Sequence, residues 1–181
     1  MSRVSTTHYC GLVAGHRALP ADDVDRIIAA WQRERPDLDV APLHVLSRLS
    51  RLSRRLDLAR GNAFAGHDLD GWEFDVLSAL RRAGRPYQLS PGHLVAETLV
   101  TSGTMTNRVD RLEQRGLVAR HPDPHDRRGV LVRLTPAGRE AVDAALAALL
   151  DHERALLAPL TQQEQETLAA LLRRLASPLE G

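Results

Sequence analysis

The chain contains 181 residues, of which 43% are apolar, and its net charge is +1. This length suffices for one ordinary domain, and a single cysteine, Cys10, excludes an intrachain disulfide framework. No stretch approaches the ~20 apolar residues of a membrane span, and the first twenty residues lack the apolar core of a signal peptide. A cytoplasmic protein without membrane contact is therefore expected.

Charge is distributed unevenly along the chain. When arginine is counted against aspartate and glutamate, residues 48–60 and 101–139 each carry +4, whereas residues 21–40 carry −3 and residues 140–181 carry −4. Basic blocks beside acidic ones predict one surface that faces a polyanion. All 24 basic residues are arginine, a composition that a GC-rich genome also produces.

Two helices are predicted over residues 21–60, after a flexible tail over residues 1–20. The first helix ends at Pro36, and three apolar side chains share one of its sides: Ile27, Ile28 and Trp31. The second begins after Pro42 and carries a heptad-like apolar stripe: Val45, Leu49, Leu52, Leu56 and Ala59. Such a stripe suits a dimerisation helix and a helix of the chain's own core equally well.

Three short helices are predicted next. The first covers residues 72–83, and the second begins at Ser90 and Pro91, which suit the cap and the first turn. The third covers residues 102–115, and Gly116 ends it. Its inward side is predicted from apolar spacings of four and three: Met105, Val109 and Leu112.

A two-stranded hairpin is predicted directly after the third helix. Strands over residues 117–121 and 130–134 flank a charged turn, and two long helices follow over 137–181, the last with a capping box at Thr161 and Glu164. This order predicts an α+β, mostly α fold, in which a winged helix-turn-helix over residues 72–136 is flanked by helices.

The third helix has the character of a DNA-recognition helix, because such a helix exposes short polar and arginine side chains to base edges. The candidate DNA contacts on it are Ser102, Thr104, Thr106, Asn107, Arg108 and Arg111. An ordinary solvated helix would show the same pattern, so the turn that follows is the feature that favours a DNA-recognition helix. Its tip adds Asp126, Arg127 and Arg128, and an arginine at a hairpin tip can enter the minor groove.

The segment from Asp126 to Thr135 resembles the Asp-x-Arg-x-x-x-Val-x-Leu-Thr signature of MarR transcriptional regulators, and residues 101–116 are similar to their recognition helix. The likeness extends over residues 40–176. It implies a homodimer held by terminal helices, which binds a pseudo-palindromic double-stranded DNA operator and acts as a repressor. It also implies that Arg128 enters the minor groove with Asp126 as its partner. Neither a cofactor nor a metal is implied.

The added helix before Pro36 is similar to that of a urate-responsive subgroup of this family. The subgroup binds its ligand with one tryptophan, one aspartate and two arginines, which match Trp31, Asp75, Arg108 and Arg120. Two guanidiniums favour an anionic ligand. Since Arg108 also lies on the recognition helix, the ligand and the operator would compete for it.

The identity of the effector depends on a finer resemblance. Residues 34–39 and 72–76 are most similar to the branch that regulates trans-aconitate methyltransferase, which implies a tricarboxylate such as trans-aconitate or citrate. Urate or another purine is the alternative. In a plainer interpretation of the four matched residues, Trp31 is a core residue, Asp75 caps a helix and both arginines contact phosphates.

Other classes of protein have less support. No enzyme is expected, because the chain lacks a phosphate-binding loop with lysine, a nucleophile elbow and a His-Glu-x-x-His zinc motif. Cys10 would suit a peroxide sensor only in an ordered electropositive pocket, and the wing cluster from His121 to Asp126 lacks metal-ligand spacing. A protein-interaction module is the alternative class, and a steep salt dependence of DNA binding would argue against it.

Overall fold

A computed structural model of the chain describes residues 20–126 and 128–177. The tail with Cys10 and the wing residue Arg127 lie outside these ranges. The helices are α1 Asp23–Glu34, α2 Leu43–Ala65, α3 Gly71–Arg82, α4 Pro91–Thr98, α5 Ser102–Gln114, α6 Pro136–Leu157 and α7 Gln162–Ala176. The strands are β1 Gln88–Leu89, β2 Val118–Pro122 and β3 Val130–Leu134.

The chain divides into two compact units, and the division falls between Arg54 and Arg55, inside α2. In the first unit the Asp22 carboxylate caps α1 by accepting the backbone N–H groups of Val24 and Asp25 at 2.8 and 3.0 Å. Arg48 on α2 donates to the same carboxylate at 2.8 Å. This hydrogen bond is the main reason that the pKa of Asp22 falls from 3.8 to about 2.

Helix α2 extends to Ala65, beyond the predicted boundary at residue 60. Phe64 in its last turn is buried and stacks on Phe74 of α3, with ring centroids 4.3 Å apart. Burial of such a ring contributes more than the roughly 1 kcal/mol that Gly61 costs inside a helix, so the helix continues through the glycine.

The core of the second unit lies between α3, α4, α5, α6 and the sheet. The predicted inward side of α5 is confirmed, since Met105, Val109 and Leu112 are at most 1% exposed. The sheet is antiparallel with the strand order β1-β3-β2. Strand β1 was not predicted, because two residues are too few to show an alternating pattern; it pairs Gln88 with Arg133 of β3.

Several helices expose apolar faces. On α2, three residues of the predicted stripe are exposed: Val45, Leu49 and Leu52. Helix α7 has no buried residue, and leucines on it and on α6 are exposed: Leu146, Leu150, Leu156, Leu157, Leu168, Leu171, Leu172 and Leu175. Within the described residues, no helix combines the length and apolar character needed to cross a membrane.

Candidate nucleic-acid interface

Helix α5 has well-defined ends. At its N-terminus the Thr101 hydroxyl accepts the backbone N–H of Thr104 at 3.3 Å, and the two threonine hydroxyls lie 2.9 Å apart. At its C-terminus Gly116 has a φ of +70°, and the N–H of Leu117 donates to the carbonyl of Leu112 at 3.0 Å. This hydrogen bond and the left-handed glycine form a Schellman motif, which ends the helix before the wing begins.

The outward face of α5 is polar and accessible, as predicted. Its exposed members are Ser102, Thr104, Thr106, Asn107 and Arg111, while Arg108 is half-buried. The Thr106 hydroxyl donates to the carbonyl of Ser102 at 3.1 Å, so its oxygen keeps lone pairs for an external donor. The face therefore offers hydroxyl, amide and guanidinium groups side by side, which are the groups that contact base edges and phosphates.

Two arginines of α5 lie over one tryptophan of α3. The guanidinium carbon of Arg108 is 5.5 Å from the ring centroid of Trp72, and that of Arg111 is 4.9 Å from it. The indole N–H donates to the carboxylate of Asp70 at 3.1 Å. The sequence pattern marked Trp72 only as a helix start, because no local spacing reports a contact between residues so far apart in the chain.

A buried ion pair fixes the C-terminal end of α5 to the start of α3. The Glu73 side chain is 3% exposed and lies 2.5 Å from the guanidinium of Arg115, which also contacts Asp68 at 2.7 Å. The hydrogen bond to Glu73 is the main cause of a raised pKa at Arg115. Glu73 also accepts the backbone N–H of Asp70, the N-cap residue of α3, at 2.9 Å. The plainer interpretation of Asp75 as a helix cap is therefore wrong.

The wing is a closed turn between β2 and β3. Its backbone hydrogen bonds join Asp123 to Gly129 and Gly129 to Asp126, both at 2.9 Å. The Asp126 carboxylate accepts the backbone N–H of Arg128 at 2.9 Å, so it shapes the turn, and the Arg128 side chain is exposed. Within residues 20–126 and 128–177, no group of three or more His, Cys, Asp or Glu side chains is placed to hold a metal.

The four residues matched to a ligand site lie in different surroundings. Trp31 is on α1 in the first unit and is 49% exposed. Asp75 lines a cavity of about 560 Å³ formed by α2, α3, α4 and α6, which neither Arg108 nor Arg120 lines. Arg120 on β2 is bound to α5, where it contacts Asp110 at 2.5 Å and also Glu113.

Arg120 is held to α5 by two ion pairs. Burial alone would lower its pKa, but the hydrogen bonds to Asp110 and Glu113 outweigh burial, and the pKa is raised. The backbone N–H of Arg120 also donates to Glu113 at 3.0 Å. Strand β2 is thereby linked to α5 by one arginine that remains charged.

Comparisons with known proteins agree with this architecture. Residues 67–129, from the segment before α3 to the wing, match the sequence model of the MarR family. The chain is 40% identical over 157 residues to the HTH-type transcriptional regulator PecS of Dickeya dadantii, covering 87% of this chain and 95% of PecS.

Two solved structures share this fold at similar identity. A mutant of MarR from E. coli complexed with operator DNA is 30% identical, with a TM-score of 0.63, covering 76% of this chain and 99% of that one. BpsR of Bordetella bronchiseptica, whose DNA binding is regulated by 6-hydroxynicotinic acid, is 30% identical, with a TM-score of 0.61 and coverages of 73% and 92%.

Proposed function

Because this chain belongs to the MarR family of transcriptional regulators, we propose that it is a cytoplasmic repressor that binds a pseudo-palindromic operator as a homodimer. A small anionic metabolite releases it from the DNA. The observation that carries this proposal is the exposed polar face of α5, followed at once by a wing with an exposed Arg128, both in one compact unit.

In the proposed complex, α5 enters the major groove with its N-terminal half first. Thr104, Thr106 and Asn107 then face base edges, and small Ser102 allows a close approach to the phosphates. Arg128 at the wing tip contacts the adjacent minor groove, where the negative potential is concentrated. Asp126 supports this contact by fixing the backbone N–H of Arg128.

The proposed dimer explains the exposed leucines. Apolar faces on α2, α6 and α7 that are exposed among the described residues would be buried between two copies, which stabilises association through the hydrophobic effect. A two-fold axis would place two α5 helices in successive major grooves. A pseudo-palindromic operator is the matching arrangement of half-sites.

The proposed effector is a tricarboxylate such as trans-aconitate or citrate, with urate or another purine as the alternative, and its candidate ligands are Trp31, Asp75, Arg108 and Arg120. The anionic class is supported by BpsR, a relative whose DNA binding is regulated by an organic acid. An anion that binds Arg120 competes with the carboxylate of Asp110 and displaces a contact that holds α5. Operator affinity and effector affinity are then coupled reciprocally.

A titration of the protein's own upstream intergenic duplex tests the proposal. Fluorescence anisotropy is expected to show saturable binding that weakens steeply with salt, since phosphate contacts release counterions. Addition of trans-aconitate, cis-aconitate, citrate or urate in separate titrations identifies the effector by release of the duplex. Absence of duplex binding at low salt would instead favour a protein-interaction module.

A further inference from the structure

We propose that Arg108 and Arg111 together bind a backbone phosphate of the DNA, and that Trp72 is a positioning residue that holds both guanidiniums in place for it. This inference rests on the proposed function, because it assigns one contact inside the same DNA interface. It adds α3 to the interface, as the support for side chains that α5 presents.

The indole of Trp72 is itself held in place. Its N–H donates to the Asp70 carboxylate at 3.1 Å, and the backbone of Asp70 is bound in turn by the buried Glu73 at 2.9 Å. Two guanidiniums lie within 5.5 Å of the centroid of this fixed ring. Attraction between a cation and an aromatic face therefore restricts both arginine side chains before any ligand arrives.

Hydrogen-bonding capacity separates these two arginines from their neighbours. Arg115 and Arg120 each contact two carboxylates, which occupy their N–H donors. Among the residues that the structure describes, neither Arg108 nor Arg111 has a carboxylate partner. A contact with an aromatic ring occupies none of the hydrogen bonds that a carboxylate would accept from a guanidinium, and a planar fork of donors matches phosphate oxygens.

The position on α5 also fits a phosphate. Arg108 and Arg111 are one helical turn apart and follow the polar residues Thr104 and Asn107, which are the proposed base contacts. Contacts to phosphates fix the orientation of a recognition helix without reading sequence. The pair over Trp72 would therefore set how α5 lies in the groove.

Salt dependence of binding tests the phosphate assignment. The double variant Arg108→Ala with Arg111→Ala loses one neutralised phosphate and is expected to reduce the magnitude of the slope of log K against log salt by about 0.9, for operator and random duplexes alike. The matched control is Arg154→Ala, which removes an exposed arginine on α6 and should leave the slope unchanged. An unchanged slope in the double variant, with a wild type that binds normally, would overturn the phosphate site and leave the proposed function standing.

A double-mutant cycle tests the role of Trp72. Trp72→Leu is expected to weaken duplex binding about fivefold to tenfold, while Trp72→Phe, which keeps the aromatic face, stays within about twofold of the wild type. In a chain that already carries Arg108→Ala and Arg111→Ala, Trp72→Leu should have no further effect. A purely structural role predicts equal weakening in both backgrounds, and that result would overturn the inference. A wild type that ignores duplex DNA would overturn this inference together with the proposed function.

Discussion

The carboxylate of Glu73 is buried, and its two hydrogen bonds offset the free-energy cost of removing it from water. Glu73→Ala removes both and leaves Arg115 without its main partner, so we expect the free energy of unfolding to fall by about 2 kcal/mol. The fall is at the lower end for a broken buried pair because Arg115 still reaches solvent. Urea denaturation measures it, and Arg60→Ala, which breaks an exposed pair with Glu153, is the control, with an expected loss of about 0–1 kcal/mol. Equal losses in both variants would contradict the argument.

Arg128 lies in a different setting, since its side chain is exposed at the wing tip. Arg128→Ala should weaken binding to operator and to random duplex by similar factors, because a minor-groove arginine contributes through charge and groove width. The circular dichroism spectrum should stay that of the wild type. Affinity that does not change would remove the wing from the proposed interface.

For single residues, the sequence predicted which side chains are exposed but did not predict which side chains they contact. Spacings of three and four place Met105 inward and Thr106 outward, since the helical period fixes which positions share a face. Partners such as Trp72 for Arg111 depend on how separate helices pack, and no local pattern records that contact. The hairpin pattern predicted arginines at the wing tip, and the family signature then singled out Arg128.

At the scale of the elements, helix α1 is stabilised by the negative charge of its N-cap residue Asp22, which is protonated in acid. The lowered pKa of Asp22, about 2, means that its cap and its contact with Arg48 are fully present above the unfolded pKa of about 3.8. They are lost as the pH falls through that interval. In Arg48→Ala the pKa should rise toward 3.8, which NMR titration of the Asp22 side-chain carbon measures. The same pKa in both proteins would contradict the assigned cause.

The junction between α6 and the wing depends on a glycine for a different reason. A Cβ at Gly138 would lie 2.0 Å from the carbonyl oxygen of Leu117, a backbone atom that cannot move away cheaply. We expect Gly138→Ala to lower the free energy of unfolding by about 3 kcal/mol. Gly61→Ala is the control, because a Cβ there meets nothing within 4 Å and should stabilise α2 by about 0.5–1 kcal/mol. Thermal unfolding of both variants tests whether the close contact with the Leu117 carbonyl, rather than the replacement of a glycine in itself, lowers the free energy of unfolding.

Sequence patterns predicted the presence of the helices better than they predicted the residues at which some helices end. Caps at Ser90, Thr135 and Thr161 mark helix starts because their side chains bind the first free N–H groups. The end of α2 was missed, since a buried aromatic residue carries the helix past Gly61. No sequence pattern indicates that the backbone of Leu117 lies close to Gly138.

At the scale of the whole molecule, the exposed leucines of α6 and α7 are expected to hold two copies of the chain together. A copy of the chain with Leu168→Asp and Leu172→Asp places two charges on a face that the proposed dimer buries, and an unpaired buried charge opposes association strongly. Sedimentation should then show monomers, whereas Leu99→Asn, a change at an exposed left-handed position outside these helices, should leave the dimer intact.

Operator binding by the charged variant follows from the same geometry. A monomer presents one α5 and one wing, so it should lose most of its preference for a pseudo-palindromic site over random duplex while it keeps weak, salt-sensitive binding through one set of phosphate contacts. Anisotropy titrations at matched salt measure both. If the charged variant still sediments as a dimer, or selects the operator as well as the wild type does, these leucines do not hold the two recognition helices together.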